Sequence, residues 1–161
     1  MKYLAHTKEP ASANVDEDNC HPLAAHLNST ARYAKERASA FNAEEPAEII
    51  GLLHDVGKYS TEFQKRIRGK NIRAPHAMAG AFILNERYGG IGRYYGLVVA
   101  SHHVGLYDYG TNENTDTYCG KLNCHNAKDL PYENEIALPA NLKHKQLENR
   151  NKYHRTKCAG F

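Results

Sequence analysis

The chain has 161 residues, 41% of them apolar and 24% charged, which suits one soluble domain built around one core. No apolar run approaches the roughly 20 residues that cross a bilayer, and Met1-Lys2-Tyr3-Leu4-Ala5-His6 lacks the hydrophobic segment of a secretory signal, so a cytoplasmic protein without a membrane partner is expected. The formal charge of +3 is concentrated in the tail: residues 119–161 hold 8 Lys/Arg against 4 Asp/Glu, while 1–118 hold 13 against 14, so net charge alone does not argue for nucleic acid.

Residues 22–41 read as a helix, with Pro22 in its first turn and Leu23, Leu27, Ala31, Ala34, Ala38 and Phe41 recurring every three or four residues. His26 lies beside that stripe. Residues 46–56 form a second helix, opened by Pro46 and closed by Gly57 as a left-handed cap, and apolar around much of its circumference. Thr61-Glu62-Phe63-Gln64 has the form of a capping box and starts a short helix that Gly69 ends. Pro75 opens a fourth helix, with His76 just inside it, that stops at Gly89-Gly90. A fifth, 91–103, runs into Ser101-His102-His103. No strand and no internal repeat is evident. From about residue 110 the apolar residues lose their helical period, and the stretch 111–161 is expected to be an irregular, loosely ordered basic tail. The fold class expected is all-α.

Four cysteines, at 20, 119, 124 and 158, make no disulfide framework for a reducing compartment. Cys119-x4-Cys124-His125 with His154-x3-Cys158 offers zinc-binding donors, although the spacing is not that of a usual knuckle. His6 and His21 flank an N-terminal loop, where solvation or a place behind the ligands is expected instead of direct ligation.

The chemistry is concentrated in Leu52-Leu53-His54-Asp55-Val56-Gly57-Lys58. An adjacent His-Asp pair at a helix end aims an imidazole and a carboxylate into one small space, and a carboxylate can bridge two cations. A single histidine on an apolar helix face is most often a hydrogen-bonded core residue. Five of them, His26, His54, His76, His102 and His103, entering or ending successive helices need a shared partner, because each unsatisfied buried ring costs roughly 1–3 kcal/mol. Imidazole is a softer donor than Mg²⁺ or Ca²⁺ prefer, so the set points to one or two divalent transition metals: Mn, Fe, Co, Ni or Zn. Two ions bridged by Asp55 would bind a phosphate oxygen and activate water, with Lys58 neutralising charge on the phosphoryl oxygens.

Beyond the pair, Lys65, Arg66, Arg68, Lys70 and Arg73 form a basic run with no acid among them, a candidate track for a nucleic acid backbone or a solvated surface. Tyr94, Tyr95, Tyr107 and Tyr109 are candidates to stack bases, the first two also to pack a helix.

Tyr3-Leu4-Ala5-His6, Leu23-Ala24-Ala25-His26-Leu27, Gly51-Leu52-Leu53-His54-Asp55-Val56-Gly57-Lys58-Tyr59-Ser60, Phe63-Gln64, His76-Ala77-Met78-Ala79-Gly80-Ala81 and Ser101-His102-His103-Val104-Gly105-Leu106 occur in this order. Together they resemble the HD nuclease domain of the CRISPR type I helicase-nuclease, over residues 1–110. The resemblance implies a helical HD-domain bundle in which His26, His54 and Asp55 hold one metal. Asp55 then bridges to a second, held by His76, His102 and His103, and Lys58 matches the lysine after the pair. It further implies an endonuclease or exonuclease acting on single-stranded DNA in antiviral defence, partnered by a helicase domain or subunit and an RNA-guided surveillance complex. The chain departs from the family pattern at one point: a further aspartate from a late Leu-x-x-Ala-Asp helix has no counterpart between 110 and 161. Two alternatives stand beside the nuclease: an HD phosphohydrolase acting on nucleotides or small phosphate esters, and a catalytically impaired, truncated or divergent remnant serving as a binding module.

Overall fold

A computed structural model describes residues 2–7, 17–124, 130–140 and 142. The helices are α1 (Leu23–Ala38), α2 (Glu44–Leu53), α3 (Thr61–Ile67), α4 (Ala77–Ser101) and α5 (Tyr118–Cys124). Helix α1 packs along α2, whose inner face rests on α4. Leu23 and Leu27 of α1, Ile49 and Leu53 of α2, and Ile83, Leu84 and Val99 of α4 share one buried cluster. Leu23 and Leu27 belong to the apolar stripe that the sequence periodicity marks in the first helix, and the fold is helical as expected. Among the described residues no helix is long and apolar enough to cross a membrane.

Several local expectations change. Helix α2 starts two residues earlier than Pro46, at Glu44, with two glutamates in its first turn where they complement the helix dipole. It ends at Leu53, and the chain then tightens into a 3-10 turn, Val56–Tyr59. Gly57 lies inside that turn and is not among the residues with positive φ, so it is not a left-handed cap. Its role is steric: a Cβ there would strike the His76 carbonyl oxygen, and glycine lets the turn pass directly beneath the strand of chain that carries His76. The cap of α3 is Ser60, whose hydroxyl accepts from the Phe63 amide at 3.2 Å, one residue before the expected Thr61. The two helices expected over 75–90 and 91–103 are found as the two arms of α4, which meet at a break at Gly89 (φ 59°, ψ −137°), a conformation that glycine alone adopts cheaply.

The expectation that strands are absent is overturned. Leu4–His6 (β1) pairs antiparallel with His21–Pro22 (β2). At two and three residues these strands are too short for an alternating pattern to show in sequence. The stretch beyond 110 also contributes packing: Tyr118 and Cys119 of α5 bury against Ala81, Phe82 and Ala100 of α4, and Ile136 enters the main cluster. Tyr59 closes over it, its hydroxyl donating to Glu135 at 2.8 Å.

Candidate metal centre

Each element ends at the same place. His26 comes from the first turn of α1, His54 follows α2, Asp55 bridges to the 3-10 turn, His76 precedes α4, and His102 and His103 follow it. The Asp55 carboxylate, 3% exposed, is the point on which they converge. Its Oδ2 lies 3.2 Å from His26 Nε2 and 3.3 Å from His54 Nε2. Its Oδ1 lies 3.3 Å from His102 Nε2, 3.4 Å from His76 Nε2 and 3.6 Å from His103 Nε2. All five predicted imidazoles and the predicted carboxylate are thus brought together, divided between the two oxygens.

The donor set fits cations. The His54 Nδ1 bonds the Gly51 carbonyl at 2.8 Å and the His102 Nδ1 bonds that of Val99 at 2.6 Å, so with Nδ1 donating, a neutral ring presents a lone pair at Nε2. Those lone pairs face a carboxylate, and two pairs of Nε2 atoms face each other: His26 with His54 at 3.1 Å, His76 with His103 at 3.0 Å. Without an ion these contacts need protons shared among the Nε2 atoms, and a cation seated among them would satisfy the same lone pairs. The separations are also those of a coordination shell, since ligands about 2.0–2.2 Å from one ion stand roughly 2.8–3.6 Å from each other at octahedral or tetrahedral angles.

The titration behaviour follows from the same crowding. Burial alone would raise the Asp55 pKa, but hydrogen bonding with His102, His26, His54 and His76 overrides it and holds the carboxyl far below the usual range. Burial likewise opposes charge on His102, yet its bonds to Asp55 and to the Val99 carbonyl raise its pKa on balance. His103 is lowered, by burial first and then by His102 and His76. His6 is lowered as well, by burial, Lys58 and His26.

Lys58 is buried, and its Nζ donates to Asp55 Oδ2 at 2.8 Å and to the Ala5 carbonyl at 3.2 Å. In these contacts it fixes the charge and position of Asp55. The basic run divides. Arg66 and Arg73 border a groove of about 530 Å³ whose wall includes His76, His103, Phe82 and Tyr107. Arg68 instead bonds Glu17, Gln64 and the Lys2 carbonyl, while Lys65 and Lys70 are exposed and do not line that groove. Tyr107 also lines it, Tyr95 packs on the main core, and Tyr94 stacks on Tyr109 with centroids 5.8 Å apart.

His6 is the residue that sequence reasoning set aside. Its ring donor lies within 4.8 Å of those of His26 and Asp55. The signal was its position at the end of Tyr3-Leu4-Ala5-His6, which becomes meaningful once that segment is seen as a strand. Neither Asp108 nor Asp116 belongs to a cluster able to hold an ion, and Asp129 lies outside the described residues. Of the possible zinc donors in the tail, Cys119 is buried and Cys124 exposed, while His125, His154 and Cys158 lie outside the described residues.

Comparison with curated proteins gives no match. A family model described as the HD domain matches residues 23–142, a span that contains His26, His54, Asp55, His76, His102 and His103. The chain belongs to the HD domain family, whose members pair such a His-Asp cluster with divalent metal and metal-dependent phosphohydrolase chemistry.

Proposed function

We propose that this chain is a metal-dependent nuclease that hydrolyses phosphodiester bonds in single-stranded DNA, in the setting of CRISPR type I defence. The observation that carries the nuclease reading is the groove: two arginines, Arg66 and Arg73, line it together with the ligand candidates His76 and His103. Arginine holds phosphate in a fork of donors, so a strand gripped there has a phosphodiester led to the Asp55 cage. Phe82, Val104 and Tyr107 give the same groove apolar surface on which a base can rest, a feature that matters for a strand and not for inorganic phosphate. The defence setting rests on the resemblance of residues 1–110 alone.

Bound divalent ions would supply a Lewis acid for a phosphoryl oxygen and lower the pKa of a nearby water. Asp55 spans the two halves of the cage, the imidazoles would hold each half, and the Nδ1 bonds of His54 and His102 to backbone carbonyls keep those two rings from turning away. Lys58 adds positive charge from behind the carboxylate, a weaker version of direct contact with phosphoryl oxygens. Arg66 and Arg73 position the strand.

Incubation of Mn²⁺-, Co²⁺- or Ni²⁺-loaded protein with circular single-stranded DNA and with free nucleotides tests the reading. Degradation of the circle, lost in Asp55→Ala and with nucleotides untouched, is the expected result. Cleavage of nucleotides alone would transfer the site to small phosphate esters, and no cleavage of either substrate would favour the binding-module reading.

A further inference from the structure

The two oxygens of Asp55 are unequally served. Three imidazoles face Oδ1, whereas His26, His54 and the Lys58 ammonium face Oδ2. The His6 ring stands on the Oδ2 side, packed edge-to-face on His26 with centroids 4.8 Å apart, and its donor atom lies within 4.8 Å of those of His26 and Asp55. His26 touches both His6 and His54, so the three rings are contiguous. Among the described residues, no second carboxylate approaches closely enough to complete that half.

The backbone beneath His6 is held with unusual investment. Gln64, fully buried, accepts from the Leu4 amide at 3.0 Å and donates to the Leu4 carbonyl at 3.0 Å. Lys58, also buried, donates to the Ala5 carbonyl. A three-residue strand paired with a two-residue partner cannot order itself, and these two polar side chains from the α3 region fix the residues immediately before His6. Burying an amide and an ammonium for this purpose makes sense if the residue they present has a defined place.

We propose that His6 joins His26 and the Oδ2 oxygen of Asp55 as a ligand of the ion on the Oδ2 side. The inference rests on the metal reading of the Asp55 cage. Because the Lys58 ammonium shares Oδ2, the ion held there binds more weakly than its neighbour on Oδ1.

Titration of the metal-free chain with Co²⁺, followed by calorimetry and by the visible absorption of the bound ion, distinguishes the two halves. Wild type should take two ions in unequal steps. His6→Ala and His6→Gln should leave the tighter step unchanged and weaken the second by at least about 10–100-fold, the loss typical when even a supporting group of a metal site is removed. His21→Ala should alter neither step, and circular dichroism should show native helicity in every variant. Two steps of wild-type affinity in the folded His6 variants would overturn the assignment while leaving the centre in place, as would a single wild-type step that the variants do not change. A wild-type chain that takes no ion would overturn the centre and the assignment together.

Discussion

At the scale of single residues, Asp55 is the hinge of the whole arrangement, because among the described residues it is the one anion that five imidazoles and a buried ammonium share. Replacing it with alanine leaves Lys58 buried without its partner, and breaking a buried pair by removing one member costs about 3–5 kcal/mol. Asp55→Ala is therefore expected to lose both ions and to destabilise the metal-free chain by about 3 kcal/mol in urea unfolding, a loss that Asp55→Ala/Lys58→Met should partly recover. Gly57 acts through contact instead of charge. A methyl at this position collides with the His76 backbone, so Gly57→Ala should cost about 1–3 kcal/mol, as overpacking does, and weaken ion binding on the Oδ1 side through displacement of the His76 ring. The five histidines that converge on Asp55 were legible in sequence because each adjoins a strongly periodic helix. His6 was not, because it ends a strand whose existence depends on Gln64 and Lys58, sixty and fifty-three residues away from the atoms they bind.

At the scale of elements, the carboxyl end of α4 sets the protonation of two adjacent rings in opposite senses. His102 bonds Asp55 and the last-turn carbonyl of Val99, which lifts its pKa despite burial; His103 gains no such bond and falls, from burial and from His102 and His76 beside it. In the metal-free chain, NMR titration should show His102 taking its proton above the ordinary imidazole value and His103 below it. The signs follow by linkage. His102 contributes stability that is complete in acid and is lost as pH rises through its raised value. His103 contributes stability present above the ordinary value and lost as pH falls below it. Loading with metal should abolish both titrations, since Nε2 is then occupied; a His102 midpoint at or below the ordinary value would refute this account of α4. The helices themselves were readable from apolar spacing, and even the break at Gly89 was marked by its glycine pair. What sequence hid was the short α5, whose seven residues hold too few turns for a period to emerge.

At the scale of the whole molecule, the candidate centre lies over the main core: α1, α2 and α4 each place candidate ligands at or beside one end and apolar residues along their lengths. Core stability and ion binding are thus separable contributions to one melting temperature. Ile136, 4% exposed, packs into this core from a part of the chain whose sequence looked irregular, because isolated apolar residues in a connecting stretch carry no period. Truncating it to alanine should cost about 2–4 kcal/mol, the usual range for a buried isoleucine, and lower the melting temperature by roughly 2–4 °C per kcal/mol in a chain of this size. An ion present at 100 times its dissociation constant adds about 2.7 kcal/mol to the folded state. If the core and the centre act independently, Ile136→Ala should lower the melting temperatures of chelated and metal-loaded protein in parallel, keeping the gap between them. Asp55→Ala should close that gap. Differential scanning calorimetry at fixed free Mn²⁺ reads both temperatures directly. A gap that collapses in Ile136→Ala would mean that residues 130–140 hold the helix ends around Asp55 in register, and that the centre cannot be understood apart from them.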